Sequence, residues 1–250
     1  MTRILAASIL ALGLAIPATA QAQGTLFIDL NAVGATSLQD EQTSTYTTTV
    51  FSETANATAT YPKLGTAPGG VFGAAWVGSF PLGVGINVTR SSYEMTAGLT
   101  AHLPHPLFFN RYGDGVGESG TLERTETAVD LSAVFAPVSK GAWVVRLMAG
   151  PTRFTAKQDM IELVNTIQSV NVLGGNTVTI RPPDVSTVDG SAWGFHVGGD
   201  VGYFFSRHFG VGGTVRMNKA TIDIEDPLTG EAGELAVGHV LFGGGLRLRF

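Results

Sequence analysis

The sequence predicts an all-β protein: a transmembrane, antiparallel, up-and-down β-barrel of about eight strands, with ten as the alternative. Three observations predict it. The N-terminus has an export pattern. No later stretch is long and apolar enough for a membrane helix. Segments of alternating polarity follow one another, joined by connections that are short and long in turn.

Export is read first. Arg3 supplies a positive start and Ile4 to Ile16 form an apolar run interrupted only by small residues. Pro17 then precedes two small-residue cleavage options, Ala18-Thr19-Ala20 and Ala20-Gln21-Ala22. The run is short for a span of roughly 20 residues and no stop-transfer charge follows, so the pattern is a cleavable signal rather than an anchor. The expected division is a signal peptide over 1–22 and one barrel domain over 23–250.

Composition narrows the classes. The 250 residues carry a formal net charge of −5, no cysteine and 33 glycines, with mean hydropathy +0.22. No basic stripe stands out, so nucleic acid is not an expected partner. Zero cysteine excludes a disulfide framework, thiol catalysis and lipid attachment through a processed cysteine. In lipid only helices and closed barrels satisfy every backbone group, so an exported membrane protein without apolar helices must be a barrel. A soluble exported β-sandwich is the competitor.

Alternation decides between them. In the last segment Val240, Phe242, Leu246, Leu248 and Phe250 share one face, and His239, Gly243, Gly245, Arg247 and Arg249 the other, with Leu241 as the exception. A sandwich would put the apolar face inward and its arginines in water, whereas a barrel turns the apolar face to lipid and the arginines to the lumen. The pattern recurs. Trp193, Phe195, Val197, Val201, Tyr203 and Phe205 alternate with His196, Asp200 and glycines. Val211, Val215 and Met217 alternate with Thr214, Arg216 and Asn218; Trp143, Val145, Leu147 and Ala149 with Val144, Arg146 and Met148. Val129, Leu131, Ala133 and Phe135 alternate with Glu126, Asp130 and Ser132, and Leu26, Ile28, Leu30 and Ala32 with Asp29 and Asn31. Runs 71–80 and 84–99 are less regular; Arg90 interrupts the apolar face of the second, so a bulge or a facing switch is expected there.

The connections give the topology. Gly78 to Gly83, Pro137 to Gly141 and Ser206 to Phe209 read as tight turns. Ala35 to Gly70, Thr100 to Gly120, Asp159 to Gly190 and Glu225 to Glu234 are long and polar. Brief periplasmic turns alternating with extended outer loops are what such a barrel has, and a Greek-key sandwich does not keep that order. Within the loops, 43–61 is Thr-rich and extended, and 167–180 reads as a hairpin around Leu173 to Asn176 with Val170 and Val172 facing Val178 and Ile180. The closing strand coincides with the end of the chain, so no periplasmic domain is expected after it.

The ending Gly243-Gly244-Gly245-Leu246-Arg247-Leu248-Arg249-Phe250 and the turn segment 203–213, set in a glycine-rich eight-strand pattern, resemble the small outer-membrane β-barrel group that includes the OmpA transmembrane domain, OmpX and OmpW. The resemblance is one of architecture across the mature chain and carries no catalytic signature. It implies residence in the Gram-negative outer membrane among lipid and lipopolysaccharide, as a monomer. It also implies that Phe250, supported by Leu246 and Leu248, is the recognition signal for the assembly machinery. The plainer reading of Phe250 is an interfacial aromatic anchor.

Sorted by parity, the lumen holds Asp29, Arg124, Glu126, Asp130, Arg146, His196, Asp200, Arg216, His239, Arg247 and Arg249. An eight-strand interior is just wide enough to be filled by side chains, and charges buried there must pair. An ion-pair network plugging the lumen is the leading expectation. A narrow polar path, with Arg146 and Arg216 favouring anions, is the alternative. No catalytic, cofactor-binding or metal-binding residues are assigned. His196 and Asp200 lie about 13 Å apart along one strand, too far for a dyad, and no G-x-S-x-G motif occurs. His102 and His105 sit in a proline-bracketed loop without further ligands, and Gly115 to Gly120 matches a dinucleotide pattern with no helix after it. Trp76, Phe80, Phe135, Trp143, Phe205, Phe209 and Phe250 are placed for a periplasmic aromatic girdle, and 107–112 is an apolar loop tip.

Function is thus expected to be non-enzymatic: a plugged outer-membrane barrel whose long loops serve surface interaction or envelope integrity. A narrow channel for small apolar or anionic solutes, as the OmpW resemblance implies, is the alternative, and a lipid-modifying enzyme is third.

Overall fold

The computed structural model describes residues 24–139, 141–171 and 173–250. The signal segment and Val172 therefore lie outside the described residues. Twelve strands follow in order: β1 (Thr25–Ser37), β2 (Gln42–Val50), β3 (Glu53–Tyr61), β4 (Thr66–Val77), β5 (Leu82–Pro104), β6 (Tyr112–Val138), β7 (Trp143–Leu163), β8 (Thr166–Val170), β9 (Asn176–Ile180), β10 (Asp184–Phe204), β11 (Phe209–Glu225) and β12 (Ala232–Arg249).

Eight of them close a ring, β1–β4–β5–β6–β7–β10–β11–β12 and back to β1, every pairing antiparallel. Eight is thus the barrel number, and the strands that suggested ten lie outside the ring. The reason is a difference in length. Strand β5 pairs with β4 only from Gly83 to Ser91 and then continues to Pro104, which would leave a bare backbone edge. Strand β3 takes part of that edge, Asn56 to Thr60 against Gly98 to His102, and β2 pairs with β3 alone. The long connections are therefore mostly strand, rising above the barrel as a tower.

On β11 and β5 polarity inverts at one level, while parity does not. On β11 the lower outward residues are Val211, Val215 and Met217, with Thr214, Arg216 and Asn218 buried between them. Higher up, Ala220, Ile222 and Ile224 are the buried set and Lys219, Thr221, Asp223 and Glu225 face out. Strand β5 does the same: Val84 and Ile86 are exposed below, and Tyr93, Met95, Ala97 and Leu99 are buried above. Below the inversion the outside medium is lipid, so apolar side chains face out; above it the outside is water, so they face in.

This corrects the reading of Arg90. No facing switch occurs there: Arg90 is exposed in unbroken alternation and pairs in register with Thr127. The only register shift between β5 and β6 falls between Thr96 and Gly98. What looked like a broken apolar face is the change of medium.

The small hairpin also pairs differently from expectation. Gln168 lies opposite Val178, Val170 opposite Asn176 and Thr166 opposite Ile180, with the turn at Asn171 to Gly175. The Asn171 side chain accepts from the amides of Leu173 and Gly175, which sets that turn. The periplasmic girdle has its expected members exposed: Trp76, Phe80, Phe135, Trp143, Phe205, Phe209 and Phe250.

Candidate functional site

The barrel interior is filled in layers. At the periplasmic end Phe27, Val77, Val134, Val144, Met148 and Phe204 form an apolar floor. Above it lies a polar middle. At the extracellular end Tyr93, Leu99, Leu122, Phe154, Met160, Ile161 and Ile222 belong to a large apolar core. The residues of these apolar layers share the inward parity of the charged residues and lie above or below the charged level.

Parity brings the charges of the middle layer together. Arg146 Nη2 donates to Asp29 Oδ1 at 2.8 Å and to Asp200 Oδ1 at 2.6 Å. Arg247 Nη2 donates to Asp200 Oδ2 and Nη1 to Asn31 Oδ1, both at 2.6 Å. Its Nε also lies 3.3 Å from Asp29 Oδ1. The Arg146 guanidinium stacks over the Phe27 ring of the floor at 4.9 Å. One step around the wall, Arg216 Nη1 donates to Asp130 Oδ2 at 2.6 Å. Higher again, Arg124 Nη2 lies 2.5 Å from Glu126 Oε1, and Nη1 donates to Gln158 Oε1 at 3.0 Å. Each of these four arginines is at most 2% exposed and has a carboxylate partner. Four carboxylates balance them, as low-dielectric burial requires.

Arg249 is the exception. It lies at the periplasmic rim, donates to the carbonyls of Arg207 and Gly141, and sits over the Phe204 ring at 4.3 Å. It closes the floor and takes no part in the network. His239 is buried with Nδ1 3.5 Å from Glu126 Oε2.

His196 has neighbours that sequence reasoning did not single out. Its Nε2 is 2.9 Å from Ser132 Oγ and its Nδ1 2.9 Å from Thr152 Oγ1, which donates to Asp130 Oδ1 at 2.7 Å. Because the Thr152 hydrogen goes to Asp130, Nδ1–H of His196 is the donor to Thr152 and Nε2 accepts from Ser132. A serine hydroxyl aimed at a histidine nitrogen is the geometry of a nucleophile and its base. Ser132 is 5% and His196 1% exposed, so the pair is walled off from any substrate. Both Ser132 and Thr152 have inward parity; that was the signal for finding them, although alternation cannot say which strands' residues meet.

In the tower, three turns touch. The amide of Asn110 donates to Glu53 Oε1 at 2.7 Å, joining the β5–β6 turn to the β2–β3 turn. Gly174, in the β8–β9 turn, packs on Arg111. Phe51, Leu107, Phe109 and Leu173 are exposed at these three apices. His102 and His105 are not brought to a common site. His102 Nδ1 lies 2.6 Å from Asp114, whereas His105 is buried against Phe108.

Ring, lipid-facing belt and aromatic girdle define a small outer-membrane β-barrel. No protein-family model matches the chain, and no curated protein matches it. Among solved structures it is similar to the outer membrane protein OprG from Pseudomonas aeruginosa, at TM-score 0.50 and 10% identity, over 92% of this chain and 97% of that one. The fold is that of Gram-negative outer-membrane barrels. Weaker likenesses are to Neisserial surface protein A (TM-score 0.43, 12% identity, 91% and 97% covered) and to Ail of Yersinia pestis (TM-score 0.41, 8% identity, 91% and 99% covered).

Proposed function

We propose that this protein is a monomeric outer-membrane barrel with a closed lumen, whose tower makes contacts outside the cell. The carrying observation is the sealed interior: paired arginines between two apolar layers, with Arg124, Leu99, Phe154 and Met160 at zero exposure. A passage for solute would need these side chains to leave the lumen and several ion pairs to break. Enclosure of Ser132 and His196 supports a non-enzymatic role. The tower presents exposed Phe51, Leu107, Phe109 and Leu173 on three joined turns, a surface suited to a partner rather than to water. Lipid and lipopolysaccharide surround the belt, and assembly machinery reads the strand ending in Leu246, Leu248 and Phe250.

Planar-bilayer conductance of the refolded protein is the test. The closed reading expects a flat trace; steady single-channel openings would sink it. The narrow-channel alternative has one observation in its favour: Arg146 Nη1, Arg216 Nε, Gln158 Nε2 and Asn218 Nδ2 are buried without a protein partner, and such atoms favour buried water. Openings selective for anions would support it.

A further inference from the structure

The lumen arginines are paired, and the cations on the outer wall are not. Where polarity inverts, the first outward-facing charged residue on three ring strands is a cation: Arg90 on β5, Arg153 on β7 and Lys219 on β11. On the same strands the first outward carboxylates come later, at Glu94, Asp159 and Asp223. Among the described residues none of the three cations has a carboxylate within ion-pair distance.

Their places are set by register. Arg153 lies opposite Trp193, and Lys219 opposite Phe195. Arg90 lies opposite Thr127, itself opposite Thr155. Each flanking cation is therefore two strands and two residues from Arg153, a Cα separation of about 12 Å. Arg153 is held in place: its guanidinium lies over the Trp193 ring at 5.6 Å and Nη2 donates to Ser191 Oγ at 2.5 Å. Directly below are exposed Phe195, Val197 and Leu131 of the lipid-facing belt.

We infer that this stretch of wall, centred on Arg153 and flanked by Arg90 and Lys219, binds one amphiphile of the outer leaflet through its headgroup phosphates. The inference rests on the membrane-spanning reading above. Unpaired guanidinium and ammonium groups supply charge-assisted hydrogen bonds to phosphate. The apolar rows beneath them receive the acyl chains of the same molecule, and Trp193 occupies the boundary between the two zones. Charge complementarity selects the headgroup, and the adjoining belt selects a lipid over a free ion.

The test is native mass spectrometry of detergent-refolded protein titrated with diphosphorylated lipid A, with the dephosphorylated lipid of the same chains, and with inorganic phosphate. The intact protein retains one diphosphorylated molecule. Arg153→Ala with Lys219→Ala lowers its apparent affinity by about tenfold or more, Arg153→Lys recovers part of the loss, and Lys63→Ala, in the tower, changes nothing. Equal retention by the double variant overturns the inference. So does equal retention of the dephosphorylated lipid, or displacement of the lipid by inorganic phosphate. If the double variant does not fold, salt dependence of binding to the intact protein decides: retention independent of salt overturns the headgroup assignment. Failure of the membrane reading would be seen separately, as a chain that refolds in no detergent or bilayer.

Discussion

Arg247 on β12 reaches across β11 to Asp200 on β10, with Nη2 2.6 Å from Oδ2 and Nε 3.3 Å from Oδ1. The intervening position on β11 is Gly212, where a Cβ would stand 2.9 Å from Arg247 Nε and 2.4 Å from the Val201 carbonyl. The missing side chain is what lets an arginine lie flat against the wall and bridge two strands that do not pair with each other.

Replacing Asp200 by Asn leaves Arg146 and Arg247 with Asp29 as their remaining carboxylate. Loss of one partner of a buried pair costs about 3–5 kcal/mol. Urea unfolding of the refolded protein in vesicles should show its midpoint lowered accordingly, and an unchanged midpoint would mean that the network is not needed for stability.

The β1–β12 seam closes on another glycine. A Cβ at Gly245 would lie 1.8 Å from the Leu30 carbonyl, so Gly245→Val has no room without opening the seam. The folded, heat-modifiable band on a gel should fall sharply for this variant. Leu248→Ala, on the lipid-facing side, should refold normally; equal yields from both would contradict the close approach.

Tyr61 and Ile161 form a joint that no pattern in the sequence announced. Strand β7 carries one extra residue against β10 near Asp184 and Val185, and the amide of Ile161 there donates to Tyr61 Oη at 2.8 Å. Tyr61→Phe should leave that amide unsatisfied, at a cost of about 1–3 kcal/mol, seen as faster hydrogen exchange at Ile161. Burial pushes the Tyr61 hydroxyl up to about 12. The folded chain holds this proton more tightly than the unfolded one. Its contribution is therefore full below about pH 10, the ordinary tyrosine value, and lost as pH rises through the folded value. Alkaline protection of the tower should fall in that window in the parent and not in Tyr61→Phe.

Phe250 exchanges two 2.9 Å backbone hydrogen bonds with Leu26, and its ring stacks on His208. Backbone pairing survives Phe250→Ala, so refolding into detergent should be nearly unchanged. If the ring is the assembly signal, the amount reaching the outer membrane in cells should drop several-fold. Equal losses in both settings would reduce Phe250 to an anchor.

Much of the fold was legible because a strand's period is two. Trp193, Phe195, Val197 and Val201 declare their face without knowledge of any neighbour, and the three tight turns count the hairpins. Arg90 was misread for the opposite reason: one residue cannot say whether its face turned or its surroundings changed. The β2–β3 flap was likewise open, since an alternating Thr-rich segment pairs equally well inside a ring or upon its edge. Ser132, Thr152 and Gly212 show nothing locally beyond their inward parity; their roles come from residues on other strands.

What the amino-acid order determined by itself is parity: which side chains face one wall of the sheet and which the other, from Asp29 to Phe250. The tertiary structure alone decided which medium lies behind each wall at each height, and which inward residues meet. The physical reason is that alternation is a local consequence of the pleat, whereas the join between Arg247 and Asp200, the flap on β5 and the seal of Phe154 and Met160 depend on ring closure and stagger, which relate strands far apart in the chain.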